Sequence, residues 1–184
     1  MRMIRSWLFI TLDGVVESPE KWVRFNDEIG QAIEAEMQAA DALLLGRRTY
    51  EVFAASWPQR TAEDDPGAPW MNETPKYVVS TTLEAPEWRN TTVIRGDVRE
   101  GVSQLKEKPG KDISVNGSAT LVRSLLPTGL IDELRLFVMP VLAGAGARFP
   151  QGDDEVALEL TDSRSFSNGV ASLTYRPTQA DTRS

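Results

Sequence analysis

Hydrophobic and polar positions change period several times along the chain, and each change marks an element. MIRSWLFITLDG alternates loosely and stops at Asp13-Gly14, which predicts a strand followed by a turn. Residues 15–25 keep no period and contain Pro19 and Trp22. From Asn26 the spacing turns helical. Ile29, Ala32, Ile33, Met37 and Ala40 fall on one face, Asn26 stands where an N-cap belongs, and Asp27 and Glu28 occupy the first turn. ALLLG then reads as a short buried strand and RTYEVFAAS as a short helix ended by Trp57-Pro58. TAEDDPGAPWMNETP is a polar, proline-rich loop with one helical turn, and KYVVS and NTTVIRG are two further strands.

The second half repeats the alternation. A helix is predicted from Asp97 to Glu107, with Val98, Val102 and Leu105 on one face. A strand follows at Ile113–Val115, then a turn of small residues, a helix ending near Leu126 and a longer strand from Ile131 to Met139. GAGARF is a glycine-rich loop. VALELTDSRSF and GVASLTYRP alternate on either side of Ser167-Asn168-Gly169 and predict a terminal hairpin. Strands that alternate with helices and close with an antiparallel pair imply an α/β fold: a mostly parallel, mixed central sheet with helices on both faces. One domain over residues 1–176 is expected, followed by a disordered tail at 177–184.

Composition narrows the chemistry more than the fold. Of 184 residues, 41% are hydrophobic and 26% charged, as in ordinary globular proteins. The net charge of −7 argues against a broad nucleic-acid surface. There is no cysteine and no histidine. That removes disulfides, thiolate nucleophiles, cysteine metal sites and the commonest general base. A zinc deaminase, a Ser-His-Asp hydrolase and a papain-like protease are excluded. Any catalysis then falls to a cofactor or to carboxylates. No targeting segment is recognised and no run approaches the ~20 apolar residues of a membrane span, so cytoplasm is the expected compartment and no membrane partner is expected.

In a sheet of this kind ligands bind at the carboxyl ends of parallel strands, where helix N-termini offer free N–H groups to anions. Three stretches fall there. In LLLGRRTYE, Gly46 allows a sharp turn, Arg47 and Arg48 bring charge and Thr49 a hydroxyl at the helix start. In SVNGSATLVRSLL, Gly117, Ser118, Ala119 and Thr120 open a helix directly after a strand, and small side chains let amides approach a diphosphate. In YVVSTTLE, Ser80, Thr81 and Thr82 place hydroxyls at a strand end. Taken singly, each has a bland reading: solvated arginines, a tight βα connection, a loop cap. All three together suit phosphate. Neither a Walker A pattern nor a GxGxxG fingerprint occurs.

The order of LDG (Leu12–Gly14), LLLGRRTYE, KYVVSTTL, ISVNGSATLVRSLL, GLIDELRLFVMPVLAGAG and the terminal hairpin resembles the dihydrofolate-reductase-like family over about residues 3–176. More narrowly it resembles the reductase domain of the riboflavin-pathway deaminase-reductase, the RibD C-terminal domain. The resemblance implies the three-layer dihydrofolate-reductase-like fold, an NADPH site and a homodimer. It implies Arg47 at the adenosine 2′-phosphate, Arg48 and Thr49 at the diphosphate, and Ser80 and Thr81 beside the adenosine. Asn116, Gly117, Ser118, Ala119 and Thr120 match the turn under the diphosphate and nicotinamide, where the family often has consecutive glycines. Gly46 belongs to the first turn, and Gly144 and Gly146 match a family glycine loop. On the substrate side Asp13 matches a strand-end aspartate, and Asp27 or Glu28 the carboxylate that holds a pterin. The alternatives are an Asp-Gly turn for Asp13 and helix-dipole partners for Asp27 and Glu28. Trp22 and Trp57 either wall a ring pocket or act as core lids. No deaminase segment is present. The expectation is a stand-alone NADPH-dependent reductase of a small heterocyclic molecule. The alternatives are a nucleotide-binding protein without catalysis and a structural dimer module.

Overall fold

The computed structural model describes residues 1–150 and 155–178. In chain order the elements are β1 (Ile4–Thr11), α1 (Asp27–Ala39), β2 (Ala40–Gly46), α2 (Arg47–Ser56), α3 (Ala68–Glu73), β3 (Lys76–Val79), β4 (Thr91–Ile94) and α4 (Val98–Glu107). They continue with β5 (Asp112–Val115), α5 (Ala119–Leu125), β6 (Glu133–Met139), β7 (Leu158–Ser165) and β8 (Ala171–Pro177). All eight strands form one sheet in the order β4-β3-β2-β5-β1-β6-β8-β7. β1 to β6 pair in parallel, whereas β8 runs antiparallel to β6 and β7 antiparallel to β8.

The leucine run explains the layering. Leu43 and Leu45 pack with Met37 of α1, Tyr50 of α2 and Met71 of α3. Ala42 and Leu44 point the other way, into Val102 and Leu105 of α4 and Leu121, Val122 and Leu125 of α5. A strand buried on both faces needs apolar residues at every position, which is why ALLLG shows no alternation. A third cluster, Trp22, Ile29, Phe137, Met139, Phe166 and Val170, closes the α1 side over β6.

Boundaries shift where tertiary pairing decides them. β2 begins at Ala40, the last residue of the expected helical face, because the strand pairs with β5 from that point. α2 begins at Arg47 because Gly46, still paired with Val79, is also its N-cap and leaves no connecting residue. The long strand begins at Glu133 rather than Ile131. The expected hairpin forms from β7 and β8, but its first strand has no core face: every residue of β7 is exposed. Of the expected tail, Pro177 ends β8 and Thr178 N–H donates to Ala157 O, while 179–184 lie outside the described residues.

Among the described residues one fully buried position carries charge. Lys76, at the start of β3, is 0% exposed. Its ammonium donates to Asn72 O (3.0 Å), Thr74 O (2.8 Å) and Arg89 O (3.2 Å) and lies 4.3 Å from the Trp88 ring. Desolvation, with Arg89 nearby, pushes it down to about 8. Three carbonyls and an aromatic face are what a buried ammonium requires. The site lies at the opposite edge of the sheet.

Candidate functional site

β2 and β5 are neighbours, so the turns that leave their carboxyl ends touch. Gly46 N–H donates to Gly117 O (3.2 Å). A Cβ on Gly46 would stand 2.4 Å from Ser118 Oγ and 3.2 Å from Ser118 N, and one on Gly117 would stand 3.0 Å from Thr49 Oγ1. Gly117 also has φ +128°, a conformation that side chains rarely permit. Each turn therefore fills the space left by the other's missing side chain. The Gly117–Ser118 peptide is cis. Ser118 Oγ accepts from Leu121 N (3.2 Å) and caps α5. α2 has no such cap, because Gly46 offers no side chain and the helix start opens directly to solvent.

Above the paired turns lies a cleft of about 440 Å³ lined by Gly46, Arg47, Arg48, Val79, Val98, Ser118, Thr120, Leu121 and Ser124. The first two sequence stretches thus converge on one space. Arg47 rims it while bonded to Glu51 Oε1 (2.8 Å), one turn along α2. Arg48 is exposed and has no ion-pair partner among the described residues. Thr49 and Gly117 lie behind the cleft, and Ala119 is half-buried in the first turn of α5. The third stretch contributes through Val79. Ser80 is buried, and its Oγ accepts from Thr82 N (3.1 Å) and Leu83 N (3.0 Å), a local cap, while Thr81 is exposed outside the lining. A second cleft, about 500 Å³, lies along α2 with Tyr50, Trp88, Glu51 and Glu87 among its lining. Its two carboxylates and lack of cations make it unsuited to a polyphosphate.

The structure gives the substrate-side carboxylates other tasks. Asp13 accepts from Thr11 Oγ1 (2.6 Å), Ala143 N (3.0 Å) and Gly144 N (2.8 Å), and Arg148 lies 3.6 Å away. The Thr11 hydroxyl first, then the two amides, hold its carboxyl well below the usual carboxylate range. Asp13 is an anchor for the loop that carries Gly144 (φ +76°) and Gly146 (φ +121°). Asp27 is exposed at the first position of α1, and no side-chain hydrogen bond holds it among the described residues. Glu28 accepts from Ser167 Oγ and N and from Asn26, pinning α1 to the hairpin turn. These bonds lower its pKa. The face of α1 over the sheet presents Ile29, Ala32 and Ile33, and further along Glu36, paired with Arg135 of β6. Trp22 is a core lid whose Nε1 donates to Glu17 O, and Trp57 stands edge-on to Phe53 at 6.4 Å.

Two polar side chains do occupy the floor under α1 and α2. In β5, Ile113 and Val115 enter the core on the α4–α5 side, so Ser114 and the following Asn116 face the other way. Ser114 Oγ donates to Asn116 Oδ1 (2.7 Å). That fixes the amide's oxygen and leaves its N–H₂ donors without a partner among the described residues. Phe9 on the neighbouring β1 and Phe53, one helical turn beyond Thr49, lie on this same side of the sheet. Ser114 has no conspicuous motif, yet its alternation with Ile113 and Val115 places it.

A three-layer sheet of this order with interlocked glycine turns at its carboxyl edge is the dihydrofolate-reductase-like class. Within it the chain belongs to the RibD C-terminal domain family, whose model matches residues 2–172. It is 30% identical to the Bacillus subtilis (strain 168) protein YyaP over 175 residues, covering 91% of each chain. It is 26% identical to YwjB of the same organism over 169 residues, covering 89% of this chain and 92% of the other. Among solved structures, a Shewanella sp. PV-4 putative riboflavin biosynthesis protein matches with a TM-score of 0.77 at 20% identity, over 97% of this chain and 100% of that one. A Corynebacterium diphtheriae pyrimidine reductase-like protein matches at 0.65 and 13% identity, over 97% and 92%. Acinetobacter baumannii RibD matches at 0.65 and 18% identity, over 97% of this chain and 58% of RibD.

Proposed function

We propose that the protein is an NADPH-dependent reductase of a small heterocyclic substrate, pterin-like or ribosylamino-pyrimidine-like. The observation that carries this reading is the pair of interlocked glycine turns beside an arginine-rimmed cleft. An uncapped helix start, two guanidinium groups and backbone free of side chains are the donor set a dinucleotide phosphate needs. When bound, the nicotinamide supplies the hydride. The chain's own part is binding and orientation. Arg48 and the Gly117–Thr120 turn hold the diphosphate, and Arg47 turns from Glu51 to the 2′-phosphate. Ser114 orients the Asn116 amide toward a ring carbonyl between Phe9 and Phe53. With Asp13 committed to the glycine loop and Asp27 exposed, water supplies the proton.

Titration of NADPH and NADH by nicotinamide fluorescence tests the reading. Arg47→Ala should weaken NADPH at least about tenfold and leave NADH unchanged, whereas Arg48→Ala should weaken both, since one charge-assisted contact contributes roughly 1.5–3 kcal/mol. Equal NADPH affinity for Arg47→Ala and wild type refutes it. The buried carboxylate of α1, Glu36, is committed to an ion pair with Arg135 of β6, which favours one other reading, a cytoplasmic nucleotide-binding protein without catalysis. That reading predicts NADPH binding without oxidation across a panel of pterins and ribosylamino-pyrimidines.

A further inference from the structure

The chain contains two Asn-Gly pairs, Asn116-Gly117 directly after β5 and Asn168-Gly169 in the turn between β7 and β8. An asparagine can react with its own main chain when the next backbone nitrogen attacks its side-chain carbon. Glycine has no Cβ to shield that nitrogen. The reaction needs a free backbone N–H and a side-chain NH₂ free to leave, and a donor fixed on the side-chain oxygen assists it. The fold treats the two pairs differently.

Asn168 is tied down. Its Nδ2 donates to Arg24 O (2.9 Å), and its Oδ1 accepts from Val170 N (3.3 Å). The nitrogen that would attack, Gly169 N–H, donates to Phe166 O (3.0 Å) and closes the hairpin. At Asn116 both groups that must move are loose: neither Nδ2 nor Gly117 N–H has a hydrogen-bond partner among the described residues. The atom that must gain charge is the one that is held. Ser114 Oγ donates to Asn116 Oδ1 (2.7 Å), and Ser114 is only 3% exposed, so water hardly competes for its hydroxyl. A donor preset at a carbonyl oxygen is what a developing oxyanion needs. Asn116 itself is half-buried rather than sealed, so water reaches it.

We propose that Asn116-Gly117 is a self-modification site, at which the protein converts its own asparagine to aspartate or isoaspartate with Ser114 as oxyanion donor. Gly117 N gives its proton to hydroxide and bonds to Asn116 Cγ, and the negative charge moves to Oδ1 against the Ser114 hydroxyl. The Cγ–Nδ2 bond then breaks, and ammonia leaves with a proton taken from water, which restores the hydroxide. Water opens the resulting cyclic imide at Cγ to give aspartate, or at the main-chain carbonyl to give isoaspartate. The sum is an amide and water going to an acid and ammonia. Either product puts a carboxylate on the polar floor beside Ser114, and isoaspartate also inserts a methylene into the main chain next to the Gly46–Gly117 contact.

Peptide mapping tests this without any cofactor. Folded wild-type protein is kept warm at mildly alkaline pH, and aliquots are digested with trypsin and weighed. Asn116 falls in peptide 112–123 and Asn168 in peptide 165–183, each with a single asparagine. Peptide 112–123 should convert to two products of equal mass, aspartyl and isoaspartyl, while 165–183 lags about tenfold or more, having two hydrogen bonds to break first. In the urea-unfolded chain the two peptides should convert at similar rates. Ser114→Ala should slow Asn116 about fivefold in the folded protein and leave its unfolded rate unchanged. An unmodified 112–123 peptide overturns the proposal, as does a folded rate ratio no larger than the unfolded one. So does a Ser114→Ala protein, folded by circular dichroism, that converts Asn116 as fast as wild type.

Discussion

Gly46→Ala asks whether the two cofactor turns are locked by steric fit or merely adjacent. Gly46 has φ −76° and ψ 154°, which any residue adopts, so alanine introduces no backbone strain. On its own, a glycine replaced at a compatible conformation gains about 0.4–1 kcal/mol through the unfolded chain. The new Cβ, however, would sit 2.4 Å from Ser118 Oγ, 3.1 Å from Ser118 Cβ and 3.2 Å from Ser118 N. The hydroxyl can swing aside only by giving up Leu121 N, and the backbone nitrogen cannot swing at all. The turns must part, and overpacking of this kind costs about 1–3 kcal/mol. The steric term wins, leaving a net loss of about 0.5–2 kcal/mol, or roughly 2–6 °C in Tm for a domain of this size.

Ser118→Gly supplies the control. Alone it should cost only a few tenths of a kcal/mol (about 0.3), because glycine is tolerated at an N-cap. In the double variant two of the three close contacts vanish, so its stability should exceed the sum of the single effects by about 1 kcal/mol. Urea denaturation measures all four proteins, and NADPH titration on the same samples reads the site. Gly46→Ala should lose affinity and the double variant should recover part of it. A neutral or stabilising Gly46→Ala, or strict additivity in the cycle, would refute the steric interlock.

Two further outcomes can be stated briefly. Lys76 in the folded state is pushed down to about 8, below its unfolded value of about 10.4. Between those values the unfolded chain holds a proton that the folded chain does not, so stability should rise with pH over that window and stay flat below it. The difference in urea stability between wild type and Lys76→Met isolates this group, and a difference independent of pH from 8 to 10 (about the folded and unfolded values) would contradict the assignment. Asn116→Leu should leave NADPH affinity within about threefold while lowering kcat/KM for a ring-carbonyl substrate by about tenfold or more, the loss of one well-placed hydrogen bond. An unchanged kcat/KM would remove Asn116 from the substrate floor.

The parts of this protein that sequence makes legible are those whose physics is local. A leucine run that ends in glycine and continues into a helix dictates both a two-faced buried strand and an open helix start, so Gly46, Arg47 and Arg48 can be placed at the rim of one cleft from a nine-residue stretch. Asn26 as the cap of α1 is legible for the same reason, and Ile29 N–H does donate to its side chain. Asp13 is different. Its meaning depends on amides at Ala143 and Gly144, 130 and 131 residues away, which no pattern around LDG announces. Ser80 likewise has a local task that the motif does not announce, its hydroxyl accepting from the amides of Thr82 and Leu83.

The same distinction separates what an acid-base role and a phosphate site each require of a sequence. Binding an anion takes donors that the backbone supplies wherever a strand meets a helix, and residues of small size that leave them uncovered. Donating a proton takes a side chain whose pKa is set by its neighbours, and those arrive from other parts of the chain. The bonds of Asp13 hold its carboxyl well below the usual carboxylate range, and the buried carboxylate of α1, Glu36, is paired with Arg135 of β6. Under the proposed function Ser114 and Asn116 are the polar groups that a substrate ring would meet, a placement visible only once Ile113 and Val115 are known to face the opposite layer.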